Sequence, residues 1–414
     1  MKKLTLLFII TLLISSCSSD DDNGNTGGNN GTDVTRAQVI SNYANVVYTS
    51  YLDSYNTSIT LKTAIDAFVD APSESGFTAA KNAWLAAREP YGQTEAYRGA
   101  NGPIDSETND PWVIGNEGQL NAWPMEEAII DYVTVETEDN GAGSFDFGSI
   151  ISDTSITIDE TTVISFAETG NNEAAVTTGW HAIEFLLWGQ DNTMPSEDIP
   201  GLREWTDYTT ADFATRRGQY LKVVTNLLVN DLNDLVSTWN SGGTYRTVFD
   251  ALDENTAIRD FITGAFFIAG DELSSERMLV AVDSDGGLFG LGQEDEHSCF
   301  SDNTHRDIFG NAKGVYNVIF GEYTPTSGAA VSGASFYDLV KQADETQAQA
   351  LKDAADEAMS RVNVIANNAQ PFDLLITLES VEGGQIGPVV EAARALEDWA
   401  DQISASATAI GINL

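Results

Sequence analysis

The chain has 414 residues, in which 20 Lys and Arg stand against 63 Asp and Glu, giving a formal net charge of −43. Hydrophobic residues make up 42% of the chain and eight residues are Trp, which provides a large core and excludes a chain that is disordered throughout. The negative charge excludes direct binding of nucleic acid, whose phosphates it would repel, and it favours cations as ligands.

Residues 1–16 are predicted to be a lipoprotein signal peptide. Two lysines precede an apolar run that is too short to span a bilayer as a helix. Cleavage before Cys17 would leave that cysteine at the N-terminus, where bacterial lipoproteins are acylated. Residues 17–33 then form a flexible tether rich in acids, Gly and Asn. We therefore expect the protein to meet the outer membrane of the cell envelope only through its lipid anchor, on the periplasmic or the surface face.

The mature chain is predicted to be all-α with little strand, because apolar residues recur at steps of three and four along most of its length. Long helices with polar faces are typical of helical bundles. Residues 34–240 and 241–414 have similar lengths and helix counts, which predicts two pseudo-symmetric bundles. The predicted helices cover residues 39–68, 76–98, 172–188, 209–240, 255–282, 303–320, 335–367, 371–379 and 386–406.

Three segments between these helices have a different composition. Residues 99–125 hold several Gly and Pro and predict an ordered loop. Residues 133–165 are rich in Thr, Ile and Val and predict a short hairpin. Residues 283–302 are rich in Gly and acids and predict a loop. Within the second helix, Pro90 is expected to produce a kink.

The chain has only three histidines, and the first of them has a glutamate three residues later. His181 and Glu184 project from the same face of a predicted helix, so the imidazole and the carboxylate can converge. Such a pair offers two ligands to zinc or iron. The alternative is a partly buried histidine that is hydrogen-bonded to its helical neighbour.

A polar stripe runs along the end of the second predicted helix. Arg88, Glu95 and Arg98 lie on one face, and a turn that contains Asn101 and Asp105 follows. Packing in a bundle would bury these charges, which then need partners or a metal ion. The alternative is an ordinary row of salt bridges on the surface.

The densest group of polar residues lies between 293 and 307, just after Glu276 and Arg277. Carboxylate oxygens and imidazole nitrogens together suit iron, manganese or zinc better than copper(I). The alternative is a charged loop followed by a helix that Asp302 or Asn303 caps, with Asp302 facing His305 across one turn. The candidates in this group are Glu296, His297, Ser301, Asp302, Asn303 and His305.

Several patterns of known enzyme classes are absent from the sequence. It has no His-Glu-x-x-His, no Gly-x-Ser-x-Gly, no phosphate-binding loop and no Cys-x-x-Cys. Besides Cys17 the chain has only Cys299, which excludes an intramolecular disulfide framework in the mature chain. We interpret Cys299 as a small buried residue.

Three stretches of the chain resemble motifs of the imelysin family. Residues 179–189 are similar to its Gly-x-His-x-x-Glu signature, residues 87–105 to its first-half motif, and residues 293–307 to its second-half motif, in the same order. The resemblance implies an all-helical fold of two related bundles with the conserved groups near their junction. It also implies a periplasmic or surface lipoprotein associated with bacterial iron acquisition, in a family that carries a metallopeptidase label.

The motifs and the resemblance together predict a metal-binding component of iron acquisition, with its site at the interface of the two bundles. The predicted cargo is iron, with zinc as the alternative, and the predicted partners are proteins of iron uptake. A metallopeptidase is the main alternative, and a module that binds a peptide or haem-like ligand is another. The predicted ligands are His181, Glu184, Glu95, Glu276, His297 and His305. The pocket is predicted to include Arg88, Arg98, Asn101, Asp105, Arg277, Glu296, Ser301, Asp302 and Asn303.

Overall fold

The fold is built from α-helices, which confirms the prediction from sequence periodicity. The computed structural model describes residues 33–137 and 139–414, so the predicted signal peptide, Cys17 and nearly all of the tether lie outside the described residues. The helices are α1 (Arg36–Asp70), α2 (Glu74–Gly92), α3 (Glu117–Asn121), α4 (Glu160–Ser165), α5 (Gly179–Trp188), α6 (Ala214–Trp239), α7 (Thr244–Phe249), α8 (Glu254–Phe267), α9 (Thr304–Phe320), α10 (Phe336–Ala343), α11 (Glu345–Ala366), α12 (Phe372–Thr377) and α13 (Pro388–Ala409).

Two of these helices are followed directly by a helical segment of a different type. A 3-10 turn (Gln93–Tyr97) follows α2, and a π-helix (Ile268–Leu279) follows α8. Two short antiparallel strands, β1 (Glu322–Tyr323) and β2 (Val331–Ser332), pair with Glu322 opposite Ser332.

The helices pack in two groups that share one compact unit, Val34–Leu414. Helix α1 packs against α2 and against α6, and α13 packs on α11 and on the π-helix. Helix α9 lies against α2 and the 3-10 turn, so an element of the second predicted half contacts the first half directly. The division into two bundles at residue 240 stays a prediction.

A close backbone approach joins α9 to the end of α2. A methyl group at Gly314 would collide with the carbonyl oxygen of Gln93, so only glycine allows the two backbones to come this near. Asn311, one turn earlier on α9, donates to the Gly92 carbonyl oxygen at 2.9 Å. This contact brings the polar stripe of α2 against the first turn of α9.

Some predictions from the sequence are wrong in detail. Apart from Glu138, which is not described, residues 133–165 form turns and α4 and contain no strand, because Gly141, Gly143 and Gly148 have positive φ and turn the chain. The helix predicted over 335–367 breaks at Asp344, whose side chain accepts the backbone N–H groups that begin α11. Helix α2 continues through Pro90 and ends at Gly92, six residues before the predicted end at residue 98, and the kink expected at Pro90 stays a prediction.

Within the described part of the chain, no helix combines the length and the apolar character that crossing a membrane requires.

Candidate functional site

Helix α5 brings His181 and Glu184 into direct contact. Because the two residues are three apart, one turn of helix places Nδ1 of His181 2.8 Å from Oε2 of Glu184. Both side chains are fully buried. The other carboxylate oxygen of Glu184 accepts the backbone N–H of Ser301 at 3.0 Å and its hydroxyl at 2.7 Å. The 299–301 turn is therefore tied to α5 through this carboxylate.

The second nitrogen of His181 has no hydrogen-bond partner among the described residues. Its Nε2 atom is buried, and the ring lies 4.8 Å from the ring of His297 and 5.0 Å from that of Trp123. Burial lowers the pKa of His181 well below its usual value, and the nearby His297 and Arg88 lower it further. When Glu184 is ionised, Nδ1–H donates to it and the Nε2 lone pair is left free. Burial raises the pKa of Glu184 to about 8.

His297 connects this pair to a network of buried arginines. Its Nδ1 lies 3.4 Å from Oδ2 of Asp307, and its Nε2 lies 3.3 Å from the amide nitrogen of Asn121. Burial, together with the positive charge of Arg277, lowers the pKa of His297 to about 4. The ring is therefore neutral near pH 7.

The polar stripe of α2 and its 3-10 turn is buried and paired. Arg88 donates through two nitrogens to Asp307, at 3.2 and 2.7 Å, and through a third to Asn121 at 2.7 Å. Glu95 accepts from Arg277 at 2.7 Å and from Arg98 at 3.2 Å. Burial alone would raise the pKa of Glu95, but the two guanidinium groups hold it at about 2.

A cavity of about 450 Å³ opens beside these groups, with His297 in its wall. Glu272, which lines it, accepts from Arg98 and from Arg277, each at 2.8 Å. Glu276 also lines it. The π-helix places Glu272 beside Arg277, five residues later, where the two form an ion pair. The carboxylates in its wall are Glu117, Glu168, Glu173, Glu272, Glu276 and Asp295.

Other predicted site residues support the surrounding loops and do not line this cavity. Asn101 donates to Asp260 at 3.3 Å, and Asp105 accepts the backbone N–H of Gly99 at 2.5 Å. The side chain of Glu296 is buried, and burial raises its pKa well above the usual value.

The predicted cap of α9 differs from the structure. Asn303 occupies the capping position without a side-chain bond to the helix N–H groups, and its amide lies 3.5 Å from Asp307. The side chains of Asp302 and His305 do not pair, because Nδ1 of His305 lies 3.0 Å from the backbone carbonyl oxygen of Asp302. His305 is not among the residues that line the cavity.

Sequence reasoning missed several residues that complete the site. Asn121 is the last residue of α3 and Trp123 follows it, and no spacing in the sequence relates either residue to His297. Asp307 lies in the dense polar group between residues 293 and 307. The available signal for it was Arg88, because an arginine buried on α2 needs an acid as its partner. Asp191 and Asp373 were not singled out, yet each places one carboxylate oxygen within 4.8 Å of the other and of one from Asp302.

The predicted ligands do not converge as one preformed metal centre. Among residues 33–137 and 139–414, Asp191, Asp302 and Asp373 form the one group of three with ligand atoms this close. The carboxylates of Glu95 and Glu184 are already occupied by hydrogen bonds from Arg277 and Ser301. Of the three predicted histidine ligands, His181 and His297 have their rings in contact. What fits a metal ion here is the unpartnered Nε2 of His181 in the state in which Glu184 is ionised and accepts Nδ1–H, an arrangement common for metal-binding histidines.

Comparisons with known proteins agree with this fold. Residues 47–402 match the model of the imelysin family, whose label is peptidase M75. The iron-regulated protein A of Synechococcus elongatus is 23% identical over 281 residues, an alignment that covers 67% of this chain and 62% of that protein.

Two solved structures have a similar fold. One is an iron-regulated protein A precursor from Parabacteroides distasonis, with a TM-score of 0.63, 18% identity and coverage of 92% of this chain and 97% of that one. The other is an imelysin-like protein from Psychrobacter arcticum, with a TM-score of 0.57, 14% identity and coverage of 90% and 95%. Because the family model matches most of the sequence, the chain belongs to the imelysin family.

Proposed function

We propose that this protein binds iron as cargo in bacterial iron acquisition, at the buried pair of His181 and His297. The acid-lined cavity adjoins this pair, and its wall includes His297 but not His181. The observation that carries the proposal is the unpartnered Nε2 of His181, which is buried next to the His297 ring and oriented by Glu184. Imidazole nitrogens and carboxylate oxygens are ligands that iron and zinc accept. The name of the Synechococcus relative, iron-regulated protein A, supports iron over zinc.

Each part of the site has a separate task in this proposal. The carboxylates of the cavity wall attract cations from solution, as a cleft lined by one sign of charge does. Arg98 and Arg277 neutralise Glu95 and Glu272, which keeps those buried acids ionised. His181 and His297 are the nitrogen ligands, and Asn121, now on His297 Nε2, must move aside for a metal ion.

We also propose that the protein works in the cell envelope and passes its cargo to an iron-uptake partner. The support is the pattern of residues 1–33, in which an apolar leader, Cys17 and an acidic tether follow one another. Labelling with a fatty-acid analogue tests the anchor, and Cys17→Ala should abolish it. Labelling that survives this substitution would contradict lipidation at that cysteine.

The test of the site is iron binding by purified protein under anaerobic conditions, measured by calorimetry and by metal content after dialysis. We expect His181→Ala to weaken Fe²⁺ binding at least tenfold, about 1.4 kcal/mol, because it removes a buried nitrogen ligand. The matched control is His305→Ala, which removes an imidazole that lies against the Asp302 backbone carbonyl and does not belong to the His181–His297 pair, and which should leave the affinity unchanged. Equal affinity of the wild type and His181→Ala would contradict the proposal.

The metallopeptidase alternative makes a different prediction. It requires a third ligand and an open position on the metal, and no standard zinc-peptidase motif supplies them. We expect no chelator-sensitive cleavage of a denatured protein substrate by the metal-loaded protein. Sustained cleavage that disappears in Glu184→Gln would support the peptidase and contradict this expectation.

A further inference from the structure

Three aspartates from separate segments of the chain bring carboxylate oxygens together outside the cavity beside His297. Asp191, Asp302 and Asp373 each place one oxygen within 4.8 Å of those of the other two. Asp191 lies in the loop after α5, Asp302 directly follows the 299–301 turn, and Asp373 lies in the first turn of α12. Asp191 and Asp373 are 182 residues apart in sequence, so the tertiary fold produces this meeting.

Contacts that do not involve the three acids hold these segments together. The Gly201 N–H donates to the Phe300 carbonyl oxygen at 2.9 Å, which joins the loop after α5 to the 299–301 turn. Helix α12 packs against the 3-10 turn Pro195–Glu197 of the same loop. The position of each carboxylate is therefore set by the surrounding fold.

Asp373 is deeply buried and has a carboxylate oxygen without a donor. The residue is 4% exposed, and the hydrogen bond to its carboxylate comes from the N–H of the next residue, Leu374, which donates to Oδ1 at 2.8 Å. Among the described residues Oδ2 has no donor. The carboxylate of Asp302, which is partly exposed, accepts no hydrogen bond within the same part of the chain. Two of the three converging side chains therefore have oxygens that are free to bind a ligand.

No positive side chain neutralises the group. Within residues 33–137 and 139–414, no Lys or Arg forms an ion pair with any of the three aspartates. Asp191 has neutral donors, because it accepts from the N–H and the hydroxyl of Thr193, each at 3.0 Å, and from the Gln293 amide at 3.3 Å. Carboxylates that are buried this close together without a counter-charge are strongly unfavourable, and a proton or a cation must offset their repulsion.

We propose that Asp191, Asp302 and Asp373 form a binding site for a hard divalent cation of the calcium type. Two oxygens that bind one Ca²⁺ at about 2.3–2.6 Å lie at most about 5 Å apart. Three oxygens within 4.8 Å of one another can therefore share one ion. Calcium accepts irregular geometry, which suits ligands on three separate segments, whereas magnesium requires a near-ideal octahedron. The group has no nitrogen ligand, so it differs in chemistry from the proposed iron site.

The electrostatics of the group agree with this assignment. Burial, with the negative charges of Asp191 and Asp373 next in importance, raises the pKa of Asp302 to about 8. Burial also raises the pKa of Asp191 to about 6 and that of Asp373 to about 6. Without a cation these carboxyls reduce their repulsion by taking up protons, whereas a bound cation would favour the ionised forms of all three.

The test is calorimetry and thermal unfolding of chelator-treated protein, titrated with Ca²⁺ and, separately, with Mg²⁺. We expect Ca²⁺ to raise the midpoint of unfolding of the wild type more than Mg²⁺ does, and Asp302→Asn to weaken Ca²⁺ binding at least tenfold. Asp302 has a φ of 55°, a left-handed conformation that asparagine also tolerates, so this variant should fold. Asp373→Asn should weaken Ca²⁺ binding in the same way.

Two further variants are the controls. Asp146→Asn removes the same charge at an exposed position outside the group and should bind Ca²⁺ like the wild type. His181→Ala should also keep the Ca²⁺ response, because His181 is not a member of the group. The second control separates this site from the proposed iron site, so that either proposal can fail without the other.

Three outcomes would overturn the proposal. One is a wild type that does not respond to millimolar Ca²⁺, which would leave the three aspartates as acids that take up protons. The second is wild-type affinity for Ca²⁺ in both Asp302→Asn and Asp373→Asn. The third is tighter binding of Mg²⁺ than of Ca²⁺ by the wild type, which would contradict a site of the calcium type.

Discussion

Asp307→Ala should lower the free energy of unfolding by about 3–5 kcal/mol, because it leaves the guanidinium of Arg88 buried without its counter-charge. Arg88 and Asp307 are 1% and 3% exposed, and their closest nitrogen and oxygen are 2.7 Å apart. Asp307 also accepts a hydrogen bond from the Ser298 hydroxyl and lies against Nδ1 of His297. Its loss therefore removes a group that holds the His297 ring, a nitrogen ligand of the proposed iron site. Urea unfolding followed by circular dichroism measures the effect.

The control is an ion pair of the same length on the surface. Lys352 and Asp356 are also 2.7 Å apart, but they are 38% and 54% exposed, so Asp356→Ala should cost less than about 1 kcal/mol. Replacing both Arg88 and Asp307 by Met and Leu should cost less than Asp307→Ala alone, because no charge is left buried. A double variant that is less stable than the single one would contradict this account.

Gly179→Ala should lower the free energy of unfolding by about 3 kcal/mol or more, from backbone strain and overpacking together. Gly179 has a φ of 83°, and an ideal Cβ atom there would lie 2.7 Å from the Gln119 carbonyl oxygen and nearer still to that of Leu120. The substitution should also weaken Fe²⁺ binding, because His181 follows two residues later on α5. Calorimetric unfolding and the iron titration measure the two effects.

Gly242→Ala separates the two causes. Its φ of 80° is almost the same, but nothing lies within 4 Å of an ideal Cβ atom at this position. We expect this variant to lose about 1–2 kcal/mol, the cost of a left-handed backbone with a side chain. Equal losses for the two variants would show that the contact with Leu120 and Gln119 is unimportant.

Much of the local structure could be predicted from the sequence. The period of apolar residues depends on neighbours three and four apart, so helices such as α1, α9 and α13 could be read within a few residues of their ends. The contact of His181 with Glu184 was predictable for the same reason, since one helical turn decides it. The turns in residues 133–165 were not, because the β-propensity of Thr, Ile and Val competed with glycines whose φ only the fold determines.

The sequence by itself determined that Arg88, Glu95, His181 and Glu184 would need polar partners, because buried charges are costly wherever they occur. Only the tertiary structure decided which partners they have. Asp307 is 219 residues from Arg88, and Ser301 is 117 residues from Glu184. Such pairings depend on how α9 packs against α2 and on where the 299–301 turn lies, and no periodicity in the sequence records these positions.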